Sequence, residues 1–157
     1  MLLSPPRSAL DADAVSLFRS EMPAGVIPAE RQALAENIAG ASPFLRQLML
    51  RDPVFAGRVF REEAEALLAL QLEGLGHVDP GLSQAEVMAR LRQLKKRVAL
   101  LVAVADLTGR WDVEQVTAAL TDFADASLMA AVDWLLLDAH RAGKMVLADV
   151  SKPSSAC

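Results

Sequence analysis

Six of the aspartates in the second half of the chain, Asp106, Asp112, Asp122, Asp125, Asp133 and Asp138, are residues whose type suits metal binding or proton transfer. Asp122 and Asp125 are three apart and share a helix face, and Asp138 and Arg141 have the spacing of an intrahelical ion pair. Helical-bundle metal sites add Glu-x-x-His pairs from facing helices. Neither His77 nor His140 has a glutamate three positions earlier, and no EF-hand spacing occurs. The aspartates therefore read as caps and surface charges. His140, near a helix C-terminus, can interact with the helix dipole when protonated.

Other chemistries fare no better. A nucleophile needs an activating base and an orienting group, and Cys157 sits in a Ser-Ser-Ala-Cys tail without a local partner. No GxxxxGK or GxGxxG cradle for phosphate is present. The basic run Arg90, Arg92, Lys95, Lys96 and Arg97 lacks interleaved aromatics or glycines, so it reads as a solvated helix face rather than a nucleic-acid surface. Trp111, Trp134 and the five phenylalanines are mostly spaced as packing residues. The residues alone assign no catalytic, cofactor-binding or metal-binding position.

The elements that would position these groups are helical. Asp11 can cap a helix to about Glu21, which Met22-Pro23-Ala24-Gly25 then breaks. Pro28 opens a second, to about Gly40. Ser42-Pro43 and Asp52-Pro53 each place a capping oxygen before a first-turn proline, and the second helix is expected to run to Leu72. Val54, Phe55, Val59, Phe60, Leu67, Leu68 and Leu70 form its buried stripe. Residues 73–81, with their glycines and Pro80, read as a loop. Ser83 with Glu86 makes a capping box, as does Asp112 with Gln115 in weaker form. The helix after Ser83 ends at Thr108-Gly109. The one after Asp112 reaches about Ala142, with a bend near Ser127 and a stop at Gly143; Val116, Leu120, Phe123, Leu128, Val132, Trp134 and Leu135 extend its apolar face. Met145-Val146-Leu147 is the sole strand candidate. The fold class is all-α, about six helices in an irregular bundle with at most one short strand near the C-terminus.

The chain has 157 residues, 53% hydrophobic and 23% charged, with a formal net charge of −4. That apolar content excludes a disordered chain, and the mild acidity excludes a strongly basic nucleic-acid binder. A single cysteine excludes an internal disulfide and fits a reducing compartment. The longest apolar stretch, Val98 to Ala105, is far too short to span a bilayer, and the N-terminus lacks a leader pattern. A cytoplasmic protein with neither nucleic-acid nor membrane partners is expected. The length suits one domain or part of a larger protein.

Two stretches resemble a known family. Leu91-Arg92-Gln93-Leu94-Lys95-Lys96-Arg97-Val98-Ala99-Leu100, continuing through Ala105-Asp106-Leu107-Thr108-Gly109 and Val116-Thr117 to Phe123-Ala124-Asp125-Ala126, is similar to a segment of the bacterial glutamine synthetase adenylyltransferase/adenylyl-removing enzymes. Ser42-Pro43-Phe44-Leu45 through Arg51-Asp52-Pro53 resembles an earlier element of the same family, in matching order. The resemblance implies a bifunctional nucleotidyltransferase that uses ATP and magnesium to adenylylate glutamine synthetase and removes the AMP by phosphorolysis. It implies glutamine synthetase and a PII-type signalling protein as partners.

In that family two acidic residues of a Ser-Asp-x-Asp signature hold the catalytic metals, and no residue of this chain matches it. The resemblance thus implies an N-terminal helical fragment, inactive alone and without cofactors of its own. Its expected parts are residues 1–27, a lead-in with a short helix; residues 28–143, a helical subdomain; and residues 144–157, a tail that is the truncated start of a nucleotidyltransferase domain. The alternative is a stand-alone helical protein-interaction domain without catalysis.

Overall fold

The computed structural model describes residues 11–76, 79 and 81–156. Among these residues seven α-helices follow in order: α1 (Ala12–Glu21), α2 (Gln32–Ala41), α3 (Pro43–Arg51), α4 (Pro53–Arg61), α5 (Ala64–Gly76), α6 (Gln84–Leu107) and α7 (Val113–Arg141). Short 3-10 turns cover Ala29–Arg31 and Pro153–Ala156. Among the described residues there is no strand, and the fold is all-α.

Most helix starts carry their own local cause. Asp11, Ser42 and Asp52 accept the backbone N–H of Ala14, Leu45 and Phe55 at 3.1, 3.2 and 3.1 Å. Pro43 and Pro53 occupy first-turn positions where a missing N–H costs nothing. Ser83 and Glu86 form a reciprocal capping box, as do Asp112 and Gln115. Each such cap satisfies orphan donors and stabilises its helix by about 1 kcal/mol. Gly109 and Gly143 end α6 and α7 with φ of 65° and 68°, a left-handed conformation that glycine adopts without a Cβ penalty.

The chain divides at Glu63/Ala64 into two compact units. In the first, α1 packs on α2 and α3, α2 on α3, and α3 on α4. Phe18, Met49 and Val59 are fully enclosed there. The Arg19 guanidinium on α1 grips the Glu36 carboxylate on α2 in a bidentate pair, with Nε donating to Oε1 at 2.8 Å and Nη2 donating to Oε2. Gly57 on α4 lies against the backbone of Val26, where a Cβ would stand 2.6 Å from the Val26 carbonyl oxygen. In the second unit α5, α6 and α7 pack pairwise around Leu67, Leu75, Val98, Leu100, Leu101 and Val104.

Four sequence expectations change. The helix from Pro53 stops at Arg61 rather than Leu72, which raises the count from six to seven. No Gly or Pro marks this break; Glu62 is extended (φ −99°, ψ 163°), and the flanking stripes serve different compact units. Val54 and Leu70, placed in that buried stripe, are exposed.

Second, α5 continues through Glu73-Gly74-Leu75-Gly76 instead of yielding to a loop. Two helical glycines cost roughly 1 kcal/mol each. Burial of Leu75, worth about 1.5–3 kcal/mol, offsets that cost. Arg90 Nη2 also donates to the Gly74 carbonyl at 2.8 Å, satisfying an end group of the helix.

Third, Met145-Val146-Leu147 is irregular backbone. The Leu147 N–H donates to Nδ1 of His140 at 3.3 Å, which directs the segment back onto α7 rather than into a sheet. Fourth, the apolar residues of α7 separate onto two faces. Phe123 and Trp134 are buried, while Leu120, Leu128 and Leu135 are exposed.

Candidate functional site

Each aspartate singled out by type has a definite place. Asp112 caps α7 and Asp138 lies 3.6 Å from Arg141. Asp133, about two turns before the C-terminal end of α7, accepts the Ser154 N–H at 3.0 Å and so tethers the chain after the helix. Asp106, Asp122 and Asp125 are exposed. Among the described residues no three of His, Cys, Asp and Glu gather closely enough to hold a metal ion. His77 and Cys157 lie outside the described residues.

The basic run divides by helical phase. Arg90 turns toward α5 and its Gly74 carbonyl, while Arg92, Lys95 and Lys96 are exposed. Arg92 and Lys95 border a surface groove of about 460 Å³ between α6 and α7, whose floor includes Val98 and Phe123. A second groove in this unit, about 450 Å³, lies where Val150 and Pro153 approach Met129 and Trp134. In the first unit a shallow cleft lies beside the exposed side chains of Leu17 and Phe44.

Both tryptophans are buried and both use their indole N–H. Trp134 donates to the Leu82 carbonyl at 3.2 Å, fixing the approach to α6. Trp111 donates to Glu65 Oε1 at 2.7 Å, joining the α6–α7 connection to the first turn of α5. The Glu65 carboxyl is held below its usual range by hydrogen bonding to its own backbone amide first, by Trp111 next, and by the nearby Arg110 charge. Glu36 is lowered further, to about 2, chiefly by its hydrogen bond to Arg19 and then by the one from Gln32. These carboxylates hold helices together through donors that keep them ionised.

Sequence reasoning had no access to the Arg19–Glu36, Trp111–Glu65 or Asp133–Ser154 links, because each joins common residue types distant in the chain. The one signal it could have used is the paired N–H and side-chain acceptor after α7, where Asp149 folds over Ser151 in a short turn.

Fold and surfaces define an all-α helical module in which several acids serve as caps, tethers and ion pairs, with open apolar grooves beside a basic helix edge. The chain belongs to the glutamate-ammonia ligase adenylyltransferase (GlnE) family, whose model matches residues 32–155. It is 37% identical over 160 residues to the bifunctional glutamine synthetase adenylyltransferase/adenylyl-removing enzyme of Xanthobacter autotrophicus, covering 94% of this chain and 16% of that protein. The enzyme of the same name from Brucella suis is 36% identical, over 99% of this chain and 16% of its own length. That from Rhizobium meliloti is 40% identical over 73% of this chain and 12% of its own length. The chain thus spans a small part of the relatives it matches. No solved structure matches it. Among the described residues, no helix is long and apolar enough to cross a membrane.

Proposed function

We propose that this chain is the N-terminal helical part of a bifunctional glutamine synthetase adenylyltransferase/adenylyl-removing enzyme, and that it is inactive alone. Its work is to pack beside and position a nucleotidyltransferase domain that lies in the longer protein. Adenylyl transfer depends on carboxylates that hold divalent ions against the attacking and leaving oxygens. In this reading those carboxylates, with ATP and magnesium, belong to the longer enzyme, while Glu36, Glu65 and Asp133 here tie elements together. Glutamine synthetase, a PII-type signalling protein and a cytoplasmic setting come with the same reading.

One observation carries it: the likeness runs along nearly all of this chain yet occupies 16% of the Xanthobacter and Brucella relatives. The test is an assay of the purified chain with glutamine synthetase and Mg-ATP, and with adenylylated glutamine synthetase and phosphate. No AMP incorporation or release is expected. Turnover in either direction above a protein-free blank overturns the inactivity.

A stand-alone helical interaction domain is the second reading, favoured by the open apolar grooves. Reading the gene onward separates the two. A Ser-Asp-x-Asp signature downstream supports the first; a stop with no remnant of one supports the second.

A further inference from the structure

The face of α7 next to the one that buries Phe123 and Trp134 carries a mostly apolar stripe. Val113, Ala124 and Leu135 recur at intervals of 11 residues, as do Leu120 with Ala131 and Leu128 with Thr117, whose hydroxyl is taken up by the Val113 carbonyl. An 11-residue repeat corresponds to about 3.67 residues per turn, so the stripe runs almost straight along the helix for roughly 33 Å. It is open to solvent: Val113 is 76% exposed, Leu128 63% and Leu135 53%. Large and small side chains alternate along it, which lets another helix approach closely at Ala124.

The two edges of this stripe differ in charge. On the α6 side stands the groove of about 460 Å³, with Arg92 and Lys95 at its rim beside Leu120 and Ala124. By helical spacing, Glu114 and Asp125 flank the opposite edge. All four charged residues are exposed, and none makes a side-chain hydrogen bond or ion pair among the described residues.

We propose that this face binds the same face of a second copy of the chain, with the two α7 helices side by side and parallel. A two-fold axis along the helices sets each stripe residue against its own counterpart. The same rotation carries the acidic edge of one α7 to the basic rim of the other, so Asp125 faces Arg92 and Lys95 of the partner subunit. An antiparallel pairing would set basic rim beside basic rim; charge therefore selects the parallel direction. A strip about 33 Å long and about 10 Å wide is well below the roughly 800 Å² per partner of a standard stable interface, so the association is weak and concentration-dependent.

Sedimentation of the full chain over a wide concentration range tests this. A monomer–dimer equilibrium that weakens with added salt is expected. Leu128→Glu, at an exposed position, raises the dissociation constant at least about tenfold while leaving the helical circular dichroism intact. Asp125→Lys weakens pairing roughly threefold, and adding Lys95→Glu restores it. With Cys157→Ser as background, Leu128→Cys forms a disulfide-linked dimer on oxidation, because residue 128 faces its own counterpart only in the parallel pairing. A chain that stays monomeric at every concentration, a dimer indifferent to Leu128→Glu, or a double charge variant no tighter than Asp125→Lys overturns the proposal.

Discussion

The indole N–H of Trp111 and the carboxylate of Glu65 meet at 2.7 Å, closing the α6–α7 connection onto the start of α5 across 46 residues of chain. A buried ring is thereby anchored by a charged acceptor, a stronger class of hydrogen bond than a neutral pair.

Trp111→Phe removes the donor and keeps an aromatic ring. The Glu65 pKa then rises part of the way to its usual value, since the hydrogen bond to its own backbone amide remains. A double-mutant cycle with Glu65→Ala is expected to give a coupling of about 1.5–3 kcal/mol in urea unfolding. NMR titration of the Glu65 carboxyl reads the first effect directly, and no movement there would show that Trp111 does not act on it.

Glu36 supplies an acid-sensitive element in the first unit. Its folded pKa lies near 2 against an unfolded 4.5, so it binds fewer protons folded than unfolded across that interval. Its contribution is fully present above about pH 4.5 and is lost as pH falls toward 2. Glu36→Gln removes this pH-dependent part. Between pH 5 and pH 2 the stability of the Gln variant is expected to fall less steeply than that of the parent, as followed by urea midpoints; parallel curves would contradict the assignment. Because Arg19 is 62% exposed, added salt should narrow the difference.

Two helical glycines respond oppositely to alanine. Alanine in place of a helical glycine contributes about 1 kcal/mol through propensity alone. At Gly74 the new Cβ meets only Leu94 Cδ2 at 3.7 Å, ordinary contact, so Gly74→Ala stabilises by roughly 0.5–1 kcal/mol. At Gly57 the Cβ falls 2.6 Å from the Val26 carbonyl oxygen, a backbone atom that cannot rotate aside. Gly57→Ala therefore destabilises by about 1–3 kcal/mol despite the better propensity. Chemical denaturation of both variants checks the pair.

Helix starts were legible because their signals are local. Asp11, Ser42, Asp52, Ser83 and Asp112 act within three residues of themselves, and Gly109 and Gly143 mark their own stops. The end of α4 was not legible, since nothing in Arg61-Glu62-Glu63-Ala64 breaks a helix; tertiary packing decides there. The continuation of α5 past Gly74 depends on Arg90, far along the chain. On α7 the apolar residues were readable as apolar, but which of them meet α5 and α6 is a property of the packed unit. Family membership was legible from Ser42–Pro53 and Leu91–Ala126 because order and spacing of many residues coincide. The tethers at Asp133 and His140 were hidden, each using an ordinary side chain to catch a backbone N–H.

Those two tethers govern how load passes through the second unit. Ser154 is hooked to Asp133 and Leu147 to His140, seven residues or about 10 Å apart along α7. Tension on the chain beyond Ser154 therefore enters α7 at Asp133, about two turns inside its end, before it reaches Arg141. The hooks take it first, ahead of the last turn. Pulled from that side, the end of α7 is loaded only after both hooks have opened, each a single hydrogen bond worth about 1 kcal/mol.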